Sequence, residues 1–125
     1  MGAGHRETVY RGTRDRRGCQ VKVVEPAGGY YNLEHLHHNH PGLPFQWGSG
    51  RHPRTADLAL SILADAMAAN TVGLNLTGIY SRALRLHMPF EWVLQSSIGW
   101  KNNWEITRRE VLDWVHDHER QITAA

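Results

Sequence analysis

A chain of 125 residues with 41% apolar and 21% charged residues is long enough to bury its own core and too apolar for a disordered segment. Its single cysteine, Cys19, excludes an intramolecular disulfide and points to a reducing, cytoplasmic setting. A net charge of +2 is well short of that of a dedicated nucleic-acid binder, and the longest apolar run, near Leu58 to Met67, is too short to span a bilayer.

Residues 1–125 are expected to form one domain, with 1–7 and 123–125 as frayed tails. The first ten residues hold no apolar run of the kind a signal peptide needs. The chain then reads as β up to about residue 33. "ETVYRG" carries Val9 and Tyr10, and "CQVKVVE" alternates Val21, Lys22 and Val23. The polar segment between them, bounded by Gly12 and Gly18, predicts a hairpin connection longer than the tightest turns. Pro26, Gly28 and Gly29 close the second strand, and "YYNL" reads as a third. A loop with His35, His37, His38 and His40 follows. Pro41, Gly42 and Pro44 keep it from being helical, and "FQW" is a further short strand at its exit.

After Pro53 the period changes. From Arg54 to Ala68 the apolar residues form a wide arc, and Asp57, Ser61 and Asp65 make one polar stripe at a spacing of four. This is the expected central helix, buried on more than one side and ended by Asn70 and Gly73. "TVGLNLTG" fits either a strand or a loop. A short helix from Ile79 to His87 is expected to stop near Pro89, and a second to carry Phe90, Val93 and Leu94 on one face. "GWKNNWEIT" reads as a turn between two short strands. Thr107 with Glu110 makes a capping box and Ile106 with Val111 a hydrophobic staple, so the last helix starts there. Its buried stripe is Val111, Val115 and Ile122. The fold class is α+β: a small antiparallel sheet from the N-terminal half, packed against a central helix and two or three others.

Phe45, Trp47, Gly48, Ser49-Gly50 and the run Leu58-Ala59-Leu60-Ser61-Ile62-Leu63 carry a resemblance. The chain resembles a small family of uncharacterised bacterial and phage-borne proteins, a domain of unknown function. That family shows a Phe-x-Trp-Gly segment, a Gly-Ser-Gly-Pro turn and a Leu-Ala-Leu-x-Ile-Leu helix. The likeness covers most of residues 8 to 116; Arg51 and His52 interrupt the glycine turn. It implies a compact α+β domain, often carried on mobile DNA, and no reaction.

Four groups of residues offer chemistry. Imidazoles at 35, 37 and 40, with His52 or His87 from elsewhere, are the candidate metal ligands or the centre of a small metal-dependent or acid-base hydrolase. A solvated polar loop is the simpler expectation, and no cofactor is expected. The glycines at 48 and 50 with Arg51 and Arg54 could cradle an anion. The structural alternative, preferred here, is a sharp turn with Phe45 and Trp47 plugging the core. Arg14, Arg16, Arg17 and Arg51 are the candidates for a phosphate contact, although nucleic acid is not the expected partner. Asp113, His116 and Asp117 share a helix face dense enough for acid-base work, with exposed ion pairs as the commoner explanation.

Five tryptophans are more than a core of this size accommodates. The leading expectation is therefore a non-enzymatic interaction or accessory module that self-associates as a dimer, with room for a further protein partner. Trp100, Trp104 and Trp114 are the interface candidates.

Overall fold

The computed structural model describes residues 7–36, 39, 44–47, 55–70, 76–98 and 101–124. Four strands and three helices follow in the order β1 (Val9–Asp15), β2 (Gly18–Val24), β3 (Tyr30–Asn32), α1 (Thr55–Asn70), α2 (Leu76–Ile98), β4 (Asn103–Thr107) and α3 (Arg108–Ala124). The strands form one antiparallel sheet, ordered β3-β2-β1-β4. The expected α+β architecture is therefore present. No described helix is long and apolar enough to cross a membrane.

The first hairpin is tighter than its sequence suggests. β1 and β2 pair as far as Asp15 and Gly18, so only Arg16 and Arg17 form the turn. The Asp15 carboxylate accepts the Arg17 N–H at 2.8 Å, and Gly18 takes a positive φ of 120°. Gly12 is not a turn boundary but lies inside β1. It faces the indole of Trp104 on β4, whose ring occupies the space a side chain at 12 would need. The second turn is closed by Gly28 N–H on the Glu25 carbonyl at 3.0 Å, with Gly28 at a φ of 102°.

Alternation along the strands gives the sheet two unlike faces. Tyr10, Val21, Val23 and Trp104 point to the core and are buried. Arg11, Lys22 and Glu105 occupy the other face, where Arg11 Nε meets Glu105 at 2.6 Å and the Lys22 ammonium lies over the Tyr30 ring. No described element covers that outer face.

α1 is the centre of the molecule. Residues 55–63 are buried without exception, which explains its weak amphipathicity: it has almost no solvent face to mark. Leu60 and Leu63 are fully buried and Met67 nearly so.

Two helices were expected across Pro89, and one forms. The buried stripe Ala83, Leu86, Phe90, Leu94 and Ile98 continues through the proline at steps of three or four. An interior proline costs about 3 kcal/mol. Burying Phe90, Leu94 and Ile98 returns roughly 1.5–3 kcal/mol for each, so the helix continues. The turn at 101–102 consequently joins a helix to a strand, not two strands: Lys101 N–H closes on the Ile98 carbonyl at 2.8 Å and β4 begins at Asn103.

Phe45–Trp47 is not a strand either. Its backbone oxygens are taken by side chains in place of a ladder. Arg14 donates to the Trp47 carbonyl and Thr55 Oγ1 to the Gln46 carbonyl. Phe45 and Trp47 plug the core as expected, with Trp47 edge-on to Trp104 and its indole N–H on the Lys101 carbonyl at 2.9 Å. α3 starts at the expected cap: Thr107 N–H donates to Glu110 Oε1 and Glu110 N–H to Thr107 Oγ1, both at 3.0 Å. Val111 and Val115 are buried as expected; the side chain of Ile122 lies outside the described residues.

Candidate functional site

A helix enclosed over most of its length cannot leave a polar stripe without partners. Asp57, Ser61 and Asp65 lie along α1 at a spacing of four, and each is engaged by a different part of the chain. The Asp57 carboxylate, buried in the helix's first turn, accepts both the backbone N–H and the Nδ2 of Asn39 at 2.8 Å. Its charge there complements the positive end of the helix dipole. Ser61 Oγ accepts the Leu36 N–H at 2.9 Å. The stripe thus pins Leu36 and Asn39, which follow β3 in the chain.

Asp65 gathers the sheet and α3. Its carboxylate accepts Tyr10 Oη at 2.7 Å, Tyr31 Oη at 2.8 Å and Arg108 Nη2 at 2.8 Å. Arg108 also donates to both tyrosine oxygens at 3.1 Å. Burial and then the Asp65 charge push the Tyr10 hydroxyl well above its ordinary range. Tyr31 is pushed up to about 12 by burial and its bond to Asp65. Burial works against the Arg108 cation, and its bonds to Tyr10 and Asp65 outweigh that, so it stays charged. Two neutral phenols, one carboxylate and one guanidinium in mutual contact make a structural clamp, since neither phenol is poised to give up its proton near neutral pH. Beside it, a cavity of about 350 Å³ is lined by Leu33, Leu36, Ala64, Ile79 and Tyr80, with Ser61 and Asp65 at its polar side.

The second polar group lies at the other end of α1. His87 Nδ1 is 2.7 Å from the Leu84 carbonyl, which assigns the proton to Nδ1 and leaves Nε2 as an acceptor. Nε2 receives Asn39 Nδ2 at 3.3 Å, so Asn39 bridges Asp57 to His87. Glu91, one turn further along α2, is buried with them. An imidazole with its tautomer fixed by a backbone carbonyl can serve as a base or a metal ligand. Among the described residues no group of three or more His, Cys, Asp or Glu is placed to hold a metal ion.

The sequence candidates fall as follows. His35 stacks on Phe45 with ring centroids 3.9 Å apart. His37, His38, His40, His52, Arg51 and Trp100, with the glycines at 48 and 50 and Arg54, lie outside the described residues. Arg14 is no open anion contact: it donates to the Trp47 carbonyl and to Asn102 Oδ1. Arg16 and Arg17 are exposed in the hairpin turn. Trp104 is buried against Gly12 and Trp47, where it presents no ring to a partner. Trp114 is half-buried between Phe90 and His118. Asp117 pairs with Arg120 on the surface, the ion-pair arrangement.

Two features were missed in the sequence. Tyr10, Tyr31 and Arg108 converge on Asp65, and the one available signal was an aspartate in an otherwise enclosed helix. Among the described residues the most exposed tryptophan is Trp92, 57% exposed, with Met88 one turn before it and Val93 beside it.

Comparison of the chain with protein-family models, with curated proteins and with solved structures gives no match.

Proposed function

We propose that the protein is a non-enzymatic interaction module that associates with a second copy of itself through the outer face of α2. The observation that supports this reading is the exposure of Trp92 at 57% next to Met88 at 41% and Val93 at 37%. Neighbouring large apolar side chains in water favour a covering partner. A two-fold pairing is the simplest cover, because one patch then meets its own copy. Carriage on mobile DNA, implied by the sequence resemblance, belongs to the same proposal.

The test is measurement of molar mass by light scattering across the micromolar range, on the native chain and on Trp92→Lys. The native chain is expected as a dimer and the variant as a monomer of unchanged helicity. A monomeric native chain at about 100 μM would remove the proposal, since that concentration populates even weak dimers.

The Asp57–Asn39–His87 bridge favours a second reading, a small metal-dependent or acid-base hydrolase at the histidine loop. Stoichiometric zinc in tag-free protein, lost on His87→Ala with the fold retained, supports it. Absence of bound metal together with unchanged hydrolase activity toward ester and phosphoester probes in that variant counts against it.

A further inference from the structure

We propose that the edge of β4 and the groove beside it receive an extended peptide segment of another protein, bound as a fifth strand, with an apolar–basic–apolar sequence. This surface shares Val93 with the one assigned above to self-association and otherwise draws on β4 and α3.

Among the described residues β4 ends the sheet and pairs with β1 alone. The phase of the ladder determines which of its backbone groups are left over. Arg108 N–H bonds to the Thr8 carbonyl at 2.8 Å, so Thr8 and Arg108 form a hydrogen-bonded pair. Such pairs alternate along an antiparallel ladder. Tyr10 with Ile106 and Gly12 with Trp104 therefore also exchange bonds. The backbone N–H and C=O groups of Asn103 and Glu105 consequently point away from β1, off the edge. Thr107 N–H also faces that way and is taken by Glu110.

Alongside the edge lies a groove of about 440 Å³. Val93 and Leu94 of α2, Ile106 of β4, and Val111 and Trp114 of α3 form its apolar wall, and Ser97, Glu105 and Glu110 its polar one. Val93 is 37% exposed and Trp114 half-buried, so the groove is open to a ligand. An edge strand flanked by a groove with one apolar and one polar wall is an arrangement that can bind peptides by strand addition. Main-chain bonds supply affinity and alternate side chains fill the pocket.

The face alternation then specifies the peptide. Residues directly opposite one another across a ladder share a face. The peptide residue opposite Glu105 lies on the solvent face, next to a carboxylate that is 54% exposed and already holds Arg11 from the far side. A carboxylate accepts about four hydrogen bonds, so a second cation has room there. The two flanking peptide residues turn inward over Val93, Leu94 and Trp114, and an apolar side chain fits each. A second copy of the chain is the poorer occupant of this edge. Full-length two-fold pairing of β4 with itself sets Glu105 opposite Glu105, and like charges directly opposite are destabilising.

The experiment is an NMR titration of the full chain with the synthetic peptide acetyl-Thr-Val-Lys-Val-Thr-amide. Two controls carry glutamate at the central position or a backbone N-methyl group on the central lysine. The lysine peptide is expected to move the amides of Asn103 and Glu105 and the methyls of Val93, Leu94 and Val111. Both controls are expected to bind at least about tenfold more weakly. Glu105→Lys should invert the preference between the lysine and glutamate peptides. Val93→Arg, at an exposed position, should abolish binding without unfolding the chain. Trp92→Lys, which separates copies of the chain, should keep or tighten peptide binding, because Val93 borders both surfaces. The proposal is overturned by no shift at these residues at a peptide concentration on the order of 1 mM, by equal binding of the N-methylated peptide, or by shifts confined to another surface.

Discussion

Replacing Asp65 with alanine removes the acceptor on which the sheet, α1 and α3 converge. The cost follows from the partners it strands. Tyr10 is fully buried and loses the acceptor for its hydroxyl proton. The Arg108 side chain, 17% exposed, loses its counter-ion. Tyr31 is 41% exposed, and water replaces its bond. Hydrogen bonds to charged groups contribute about 1.5–3 kcal/mol each, and only the two enclosed partners count in full. The expected loss is about 3–5 kcal/mol, the range for breaking one side of a buried pair. With a urea dependence of about 2 kcal/mol per molar, the unfolding midpoint should fall by roughly 2 M. Urea denaturation at neutral pH, followed by circular dichroism and tryptophan fluorescence, measures it. Arg108→Met in the same background should cost much less than it does alone, because its charge no longer has a partner to lose. A midpoint change under roughly 0.5 M, or additive effects of the two substitutions, would show that water already screens the cluster and that the clamp is not structural.

Leu63→Ala, at a fully buried position on α1, is expected to cost about 2–5 kcal/mol in the same assay; a value near zero would misplace the central helix. Gly12→Ala drives a methyl group into the Trp104 indole, and overpacking of this kind costs about 1–3 kcal/mol, readable as a lowered midpoint with altered tryptophan emission. Stability should decline in alkaline solution. Below pH 10.0, the ordinary tyrosine value, both folded and unfolded states keep the Tyr31 proton and its contribution is complete. Between 10.0 and about 12 only the unfolded chain releases it, so stability falls as pH rises, and Tyr10 acts in the same direction. Denaturation midpoints from about pH 9 to about pH 12 should drop for the native chain and drop less for Tyr31→Phe.

The elements with strong local signals were legible in the sequence. Val21-Lys22-Val23 alternates because one sheet face is wet, and Thr107 with Glu110 writes a helix start in four residues. What was not legible depended on partners far along the chain. Pro89 reads as a break until Phe90, Leu94 and Ile98 are seen to bury the same stripe as Ala83 and Leu86. Gly12 reads as a turn residue until Trp104 is placed over it. The aspartates of α1 read as a polar stripe, and the sequence cannot say that Asn39, Leu36 and Arg108 satisfy that stripe from three directions. The tryptophans were legible as a count only. Burial took Trp104 inward and left Trp92 outward, although neither has a distinctive neighbourhood in sequence.

The pairing of β1 with β4 has a consequence for how the chain is made. β1 meets β2 through a turn of two residues, but its other neighbour is joined across a separation of 94 residues, Arg11 to Glu105. The hairpin can close on the microsecond scale as soon as it leaves the ribosome. The second edge of β1 has to wait until residues 103–107 have been synthesised, and the space over Gly12 waits for Trp104. Synthesis at about 5–20 residues per second makes that wait several seconds or more. Throughout it the nascent chain carries a hairpin with an unpaired edge and a core short of one of its largest side chains. The interval before β4 arrives, and not the stability of the finished fold, is when this protein is most open to mispairing and to chaperones.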